Sequence, residues 1–157
     1  MDRDTLKRKL QIIIFELTTP LVSLTGFCDL AKAQTKSRVT LEQLRVISEA
    51  TEQIRSRKDF LSEKLLSEDD PDFISEIQSA NYLQNFALEV KIYENKISTS
   101  INELLKQNFE TDDLSLKEWV KQFSANAAND LRSKLDALGM IQPDLELVIV
   151  SNSGDNF

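Results

Sequence analysis

Only three glycines and three prolines interrupt 157 residues, and this shortage of chain breakers constrains the fold more than any other feature. Both residues punctuate helices and turns, so a chain this poor in them is expected to form long elements. The apolar residues recur on steps of three and four, the spacing that gathers side chains on one face of an α-helix. A first helix is expected over 4–32, with Leu6, Leu10, Ile13, Leu17, Leu24, Phe27 and Ala31 on its inner face. Pro20 falls inside this helix, where it removes one backbone hydrogen bond and crowds the preceding turn, so a kink near Glu16 is expected.

A second helix opens at a capping box, Thr40 to Gln43, and carries Leu44, Ile47, Ile54, Leu61 and Leu65. The polar stretch 34–39 joins the two as a hairpin. An acidic break at 67–71, in which Asp70 caps and Pro71 begins a helix, leads to a third helix with Phe73, Ile77, Ala80, Ala87, Val90, Ile97, Ile101 and Leu104. Ser115 to Glu118 forms another capping box, opening a fourth helix with Trp119, Phe123, Ala127, Leu131 and Leu138, closed by Gly139. Beyond Pro143, residues 145–150 read as a short strand. The expected organisation is a helical hairpin over 1–66, a second helical pair over 67–139 and a tail over 140–157.

Nineteen basic against 26 acidic side chains give a net charge of −7, with the bases scattered, so nucleic acid is not an expected partner. Cys28 is the single cysteine, which excludes an internal disulfide, and its place in an apolar stripe predicts a buried, reduced thiol. The longest uninterrupted aliphatic or aromatic runs, 12–15 and 147–150, are far shorter than the roughly 20 residues of a membrane span. With no secretory signal in view, the expectation is a soluble cytoplasmic protein without direct membrane insertion. The acidic groups Glu68, Asp69, Asp70, Asp72 and Glu110, Asp112, Asp113 lie at expected helix starts, where they complement the helix dipole. Histidine is absent, paired-cysteine spacing is absent, and no Gly-rich phosphate loop is present, so no metal or cofactor is expected.

Phe15 departs from the pattern. It is two residues from both Ile13 and Leu17, about 200° round the helix from each, and its helical neighbours are Gln11, Thr18, Thr19 and Val22. A large aromatic therefore stands on the more polar side. Either a neighbouring helix covers it or it is merely tolerated, as isolated exposed hydrophobic residues often are, or it forms a docking patch with Val22.

Residues 15–30, Phe-Glu-Leu-Thr-Thr-Pro-Leu-Val-Ser-Leu-Thr-Gly-Phe-Cys-Asp-Leu, resemble the H-box of sensor histidine kinases. The family pattern after the phosphate-accepting histidine is acidic, apolar, Arg or Lys, Thr or Asn, Pro, Leu. Glu16, Leu17, Thr18, Thr19, Pro20 and Leu21 stand at those places, and Leu24, Gly26, Phe27 and Leu30 also fit. Two positions depart from it: Phe15 replaces the acceptor histidine, and Thr18 replaces the usual base. In the family this helix pairs with a second in an antiparallel hairpin, and two hairpins form a dimeric four-helix bundle. The resemblance thus implies an all-α fold of long antiparallel hairpins forming a four-helix bundle. Two chains could supply it as a homodimer, the arrangement the family favours, or helices three and four could take the place of the second hairpin.

Phosphoryl transfer to histidine needs a ring nitrogen with a free lone pair, which a phenyl ring lacks, so autophosphorylation at Phe15 is excluded. What the resemblance then implies is a non-catalytic signalling or scaffold protein that binds a response-regulator receiver domain or a histidine kinase. By carry-over its contact surface comprises Phe15, Thr18, Thr19, Val22 and Gly26. One alternative is a response-regulator phosphatase, because Glu16 and Thr19 stand where relatives hold the acid and the water-positioning residue. Another is a plain oligomerisation module. Toward the C-terminus, 116–127 can be aligned with the asparagine box of the kinases' ATP-binding domain, placing Asn126 at the magnesium-ligating asparagine. Residues 150–157 can be aligned with the adenine-recognising box, with Asn152 for its aspartate, Gly154 within it and Asn156 for its second glycine. The 157 residues hold neither the lid nor the later glycine box, so poor nucleotide binding is expected.

Overall fold

A computed structural model describes residues 3–66, 77, 82–106, 118, 122 and 125–140. Four helices account for nearly all of them: α1 (Arg3–Gln34), α2 (Arg38–Leu66), α3 (Tyr82–Lys106) and α4 (Ala125–Gly139). Helix α1 packs against α2 and α4, and α3 packs against the same two, so the helices close a ring in chain order. Cross-helix bonds fix the antiparallel sense. Cys28 Sγ meets Leu44 O at 3.7 Å, Arg57 Nε meets Glu89 Oε1 at 2.7 Å, and Lys134 Nζ meets Glu16 Oε2 at 3.0 Å. The chain is an all-α four-helix bundle, as the breaker-poor sequence implies, and helices α3 and α4 complete it without a second hairpin from another copy. No strand occurs among the described residues; the strand expected over 145–150 lies outside them.

The buried positions follow one repeat. The seam of α1 is Leu10, Ile14, Leu17, Leu21, Leu24, Cys28 and Ala31, with Leu6, Pro20 and Phe27 buried beside it, and that of α3 is Leu83, Ala87, Val90, Glu94, Ile97, Ile101 and Leu104, with Ser100 buried beside it. These steps alternate four and three, the seven-residue repeat that keeps one seam facing the bundle axis. Ile14, not Ile13, therefore holds the inner position, and Ile13 is half-buried at the edge. Leu21 and Leu135 also belong to the core, although the expected stripes passed over them. Trp119, Phe123, Phe73 and Ala80 lie outside the described side chains.

One apolar cluster draws on all four helices toward the α1–α2 turn, including Leu17, Leu24, Leu44, Ile54, Ile97 and Leu131. A second, with Leu6, Leu10, Ile14, Leu61, Leu65, Ile77, Leu83 and Leu138, fills the opposite end, and half-buried Phe86 packs against both.

Pro20 is buried within α1, and the helix continues through it from Arg3 to Gln34. The start of α2 differs from the expected capping box. The helix begins at Arg38, and the hydroxyl of Ser37 accepts the Thr40 amide at 3.3 Å. Ser37 is thus the cap, and Thr40 is a buried residue in the first turn. Thr35 Oγ1 accepts the Ser37 amide at 3.2 Å, which locks the three-residue connection between the helices. The capping box expected at 115–118 and the acidic break at 67–71 lie outside the described residues, apart from exposed Glu118.

Candidate functional site

The site rests on the outer face of α1. Because the inner seam takes every third or fourth residue, the residues about half a turn away must face outward. Phe15 is 77% exposed, Val22 59%, Leu30 55% and Ile12 52%, and Thr19 and Ser23 are exposed between them. Phe15 is therefore not covered by a neighbouring helix. It borders a groove of about 260 Å³ between α1 and α2, lined by Gln11, Ile14, Phe15 and Thr18 on one side and Lys58, Ser62, Leu65 and Leu66 on the other. Thr19, Val22 and Gly26 continue along the same helix face, with Gly26 about 16 Å beyond Phe15 at 1.5 Å rise per residue.

Charge is scarce on this face. Between Ile12 and Ala33 the exposed ionisable residues of α1 are Glu16 and Asp29, one at each flank. Glu16 turns toward α4, where Lys134 Nζ lies 3.0 Å from its carboxylate. On the α2 side Thr25 Oγ1 donates to Leu21 O at 2.9 Å and accepts from Arg55 Nη2 at 2.6 Å, so its proton is committed within α1. Lys58 is largely sunk beside the groove and pairs with Asp59 at 2.9 Å.

Apart from its chain neighbours and the backbone of its own helix, no described atom lies within 4 Å of the place where a Cβ on Gly26 would sit. A glycine inside a helix costs about 1 kcal/mol relative to alanine, and packing among the described residues gives no reason for it.

The structure brings Phe15 and Thr18 to one groove and sets Thr19, Val22 and Gly26 beside it. Glu16 and Thr19 are both exposed, and the carboxylate is held by an ion pair to another helix. Asn126 lies at the start of α4, exposed, with its amide donating to Gln122 O at 2.6 Å, and Asn152, Gly154 and Asn156 are outside the described residues. Reading the sequence alone missed Leu66, Lys58 and Ser62 as the second wall of the groove. They are recognisable only once the register of α2 against α1 is known, because the hairpin brings together residues nearly 50 apart.

Cys28 is fully buried, and burial pushes its thiol up to about 12 from an ordinary 9.0, so it is no nucleophile at neutral pH. The sign of the linkage follows. The folded state keeps a proton that the unfolded chain sheds above about pH 9, so this contribution to stability is complete below pH 9 and falls as pH rises toward 12. Urea unfolding at pH 8 and pH 10 is expected to show a loss that Cys28→Ala lacks, approaching ~1.4 kcal/mol per pH unit. Equal slopes in the two proteins would contradict the assignment.

Among the described residues no group of three or more Cys, Asp or Glu side chains is placed to hold a metal ion. By length and composition α1 also meets the requirement for crossing a membrane, with mean hydropathy 1.5 over an 18-residue window. The short run 12–15 conceals this property, because Thr, Ser, Gly and Pro separate the apolar residues while only Glu16 is charged between Leu10 and Cys28. In the bundle the inner side of this helix is core. Comparison with known proteins finds no matching family model, no matching curated protein and no matching solved structure.

Proposed function

We propose that this chain is a non-catalytic signalling or scaffold protein of the two-component type, acting in the cytoplasm, which binds a response-regulator receiver domain or a histidine kinase through the outer face of α1. The observation that supports this reading is the exposure of Phe15, 77%, beside a groove built jointly by α1 and α2. An aromatic ring held open on a helix of a folded bundle offers the kind of anchor that dominates protein–protein contacts. Phe15, Thr18, Thr19, Val22 and Gly26 form the contact surface, and Lys58 and Leu66 extend it onto α2. With carbon where the kinases carry an imidazole nitrogen, the surface can hold a partner but cannot accept phosphate from it.

The test is capture of receiver domains from the same organism by the full chain, followed by affinity measurement with Phe15→Asp. Loss of an aromatic anchor is expected to weaken binding at least about 30-fold, the equivalent of 2 kcal/mol. Helicity should be unchanged, because the ring contributes little to the core. Binding that is indifferent to Phe15→Asp, or the absence of any receiver partner, would sink the reading. A catalytic shortening of the receiver's aspartyl-phosphate lifetime, abolished by Thr19→Ala while binding persists, would favour the phosphatase alternative instead.

A further inference from the structure

We infer that residues 145–150, Leu-Glu-Leu-Val-Ile-Val, dock in the groove between α3 and α4, so that the chain covers its own apolar surface on the side of the ring opposite the α1–α2 groove. The receiving surface is a groove of about 340 Å³, lined by Ala87, Leu88 and Lys91 on α3 and by Asp136, Gly139 and Met140 at the end of α4. Leu88 is 63% exposed and Met140 79%. Lys91, the cation in this wall, is already paired with Asp136, so the groove asks for aliphatic contact and not for a counter-charge.

Chain connectivity selects the occupant. Met140 is both a wall of the groove and the residue from which 141–157, outside the described residues, continue. Gly139 fixes that exit against α3: an added Cβ would stand 3.1 Å from the Cβ of Ala87, and glycine lets the end of α4 lie there without crowding it. From Met140 to Leu145 the chain can reach at most about 18 Å, ample for a return to Leu88 in the same groove. So short a tether holds the run at an effective concentration on the order of millimolar, an advantage that no separate partner shares.

The chemistry of the run fits this place. Glu146 is its only charge, and in an extended chain Leu145, Leu147 and Ile149 fall on one side, with Glu146 on the other. A single strand needs a sheet to join, and no strand occurs among the described residues. Left bare, a run of this composition is an aggregation hazard. Laying its aliphatic side on Leu88, Met140 and the stem of Lys91 takes two apolar surfaces out of water together, and Glu146 keeps its hydration.

Thermolysin, which cleaves before Leu, Ile and Val, tests this, with the cut sites located by mass spectrometry. Cleavage within 145–150 is expected to be at least about tenfold slower in the full chain than in the free peptide 141–157, because only the undocked population is cut. Leu88→Asp and Met140→Asp, both at exposed positions, should each speed it at least about fivefold without changing helicity. Val39→Asp, comparably exposed at the far end of the bundle, should leave it unaltered. Cleavage as fast as in the peptide would mean that the run docks nowhere and would overturn the inference. Protection indifferent to both groove variants would place the run on another surface, and protection that rises with protein concentration would assign it to another copy; either result overturns it as well. Receiver binding is read separately, because Leu88 and Met140 lie outside the surface proposed for it.

Discussion

Arg132→Leu is expected to lower the free energy of unfolding by about 3 kcal/mol, although its own side chain is half exposed. The cause lies in its partner. Glu94 is 1% exposed and occupies a seam position of α3 that the repeat would otherwise give to an aliphatic residue. Its Oε1 accepts from Ser98 Oγ at 2.6 Å and from Arg132 Nε at 3.1 Å, with Arg132 Nη2 at 3.0 Å. Removing the guanidinium leaves a buried carboxylate with Ser98 alone among these donors. Removing the carboxylate is milder, because the half-exposed Arg132 can reach water. The double variant Glu94→Leu, Arg132→Leu should therefore recover most of the loss, since a hydrophobic pair fills the site without an uncompensated charge. Urea denaturation of the two single variants and the double variant decides it. Additive losses would show that the pair is not coupled.

A comparable effect is expected from Ile97→Ala. Ile97 is fully buried in the cluster that draws on all four helices, so truncation removes transfer energy and leaves a cavity lined by several elements. The expected cost is about 3 kcal/mol, within the range of 2–5 kcal/mol for such deletions. Ile92→Ala, one and a half turns earlier on the same helix, should cost less than about 0.5 kcal/mol because Ile92 is mostly exposed. Equal losses at the two sites would mean that α3 does not present the assigned seam to the core.

Much of this architecture was legible in the sequence, for a physical reason: steps of three and four report which side of a helix is dry, and breakers report where it can stop. The stripe of α2, from Leu44 to Leu65, is buried as expected. The reading fell short where neighbouring apolar residues competed for one position, as at Ile13 and Ile14, and where polar residues stood on the seam. Thr51 is buried because its hydroxyl donates to Ile47 O at 2.7 Å, and Glu94 because Arg132 reaches it from the next helix; neither partner is visible in a hydrophobic pattern. Leu21, next to Pro20 in the chain, is buried although the expected stripe stepped from Leu17 to Leu24. Ser37 took the cap from Thr40 because the choice between neighbouring hydroxyls depends on local backbone geometry. Phe15 was legible as an outward-facing aromatic, whereas the α2 wall of its groove required the tertiary register.

The ring of helices also bears on how the chain can assemble. Each contact between sequential helices closes a modest length of polypeptide, and the three-residue link before α2 makes the first such closure nearly local. Only the α1–α4 seam joins the two ends of the ring, bringing Glu16 to Lys134 across more than a hundred residues. That seam carries the greatest loop-closure entropy, so early zippering of the first hairpin and late docking of the last helix is the kinetic order such a topology favours.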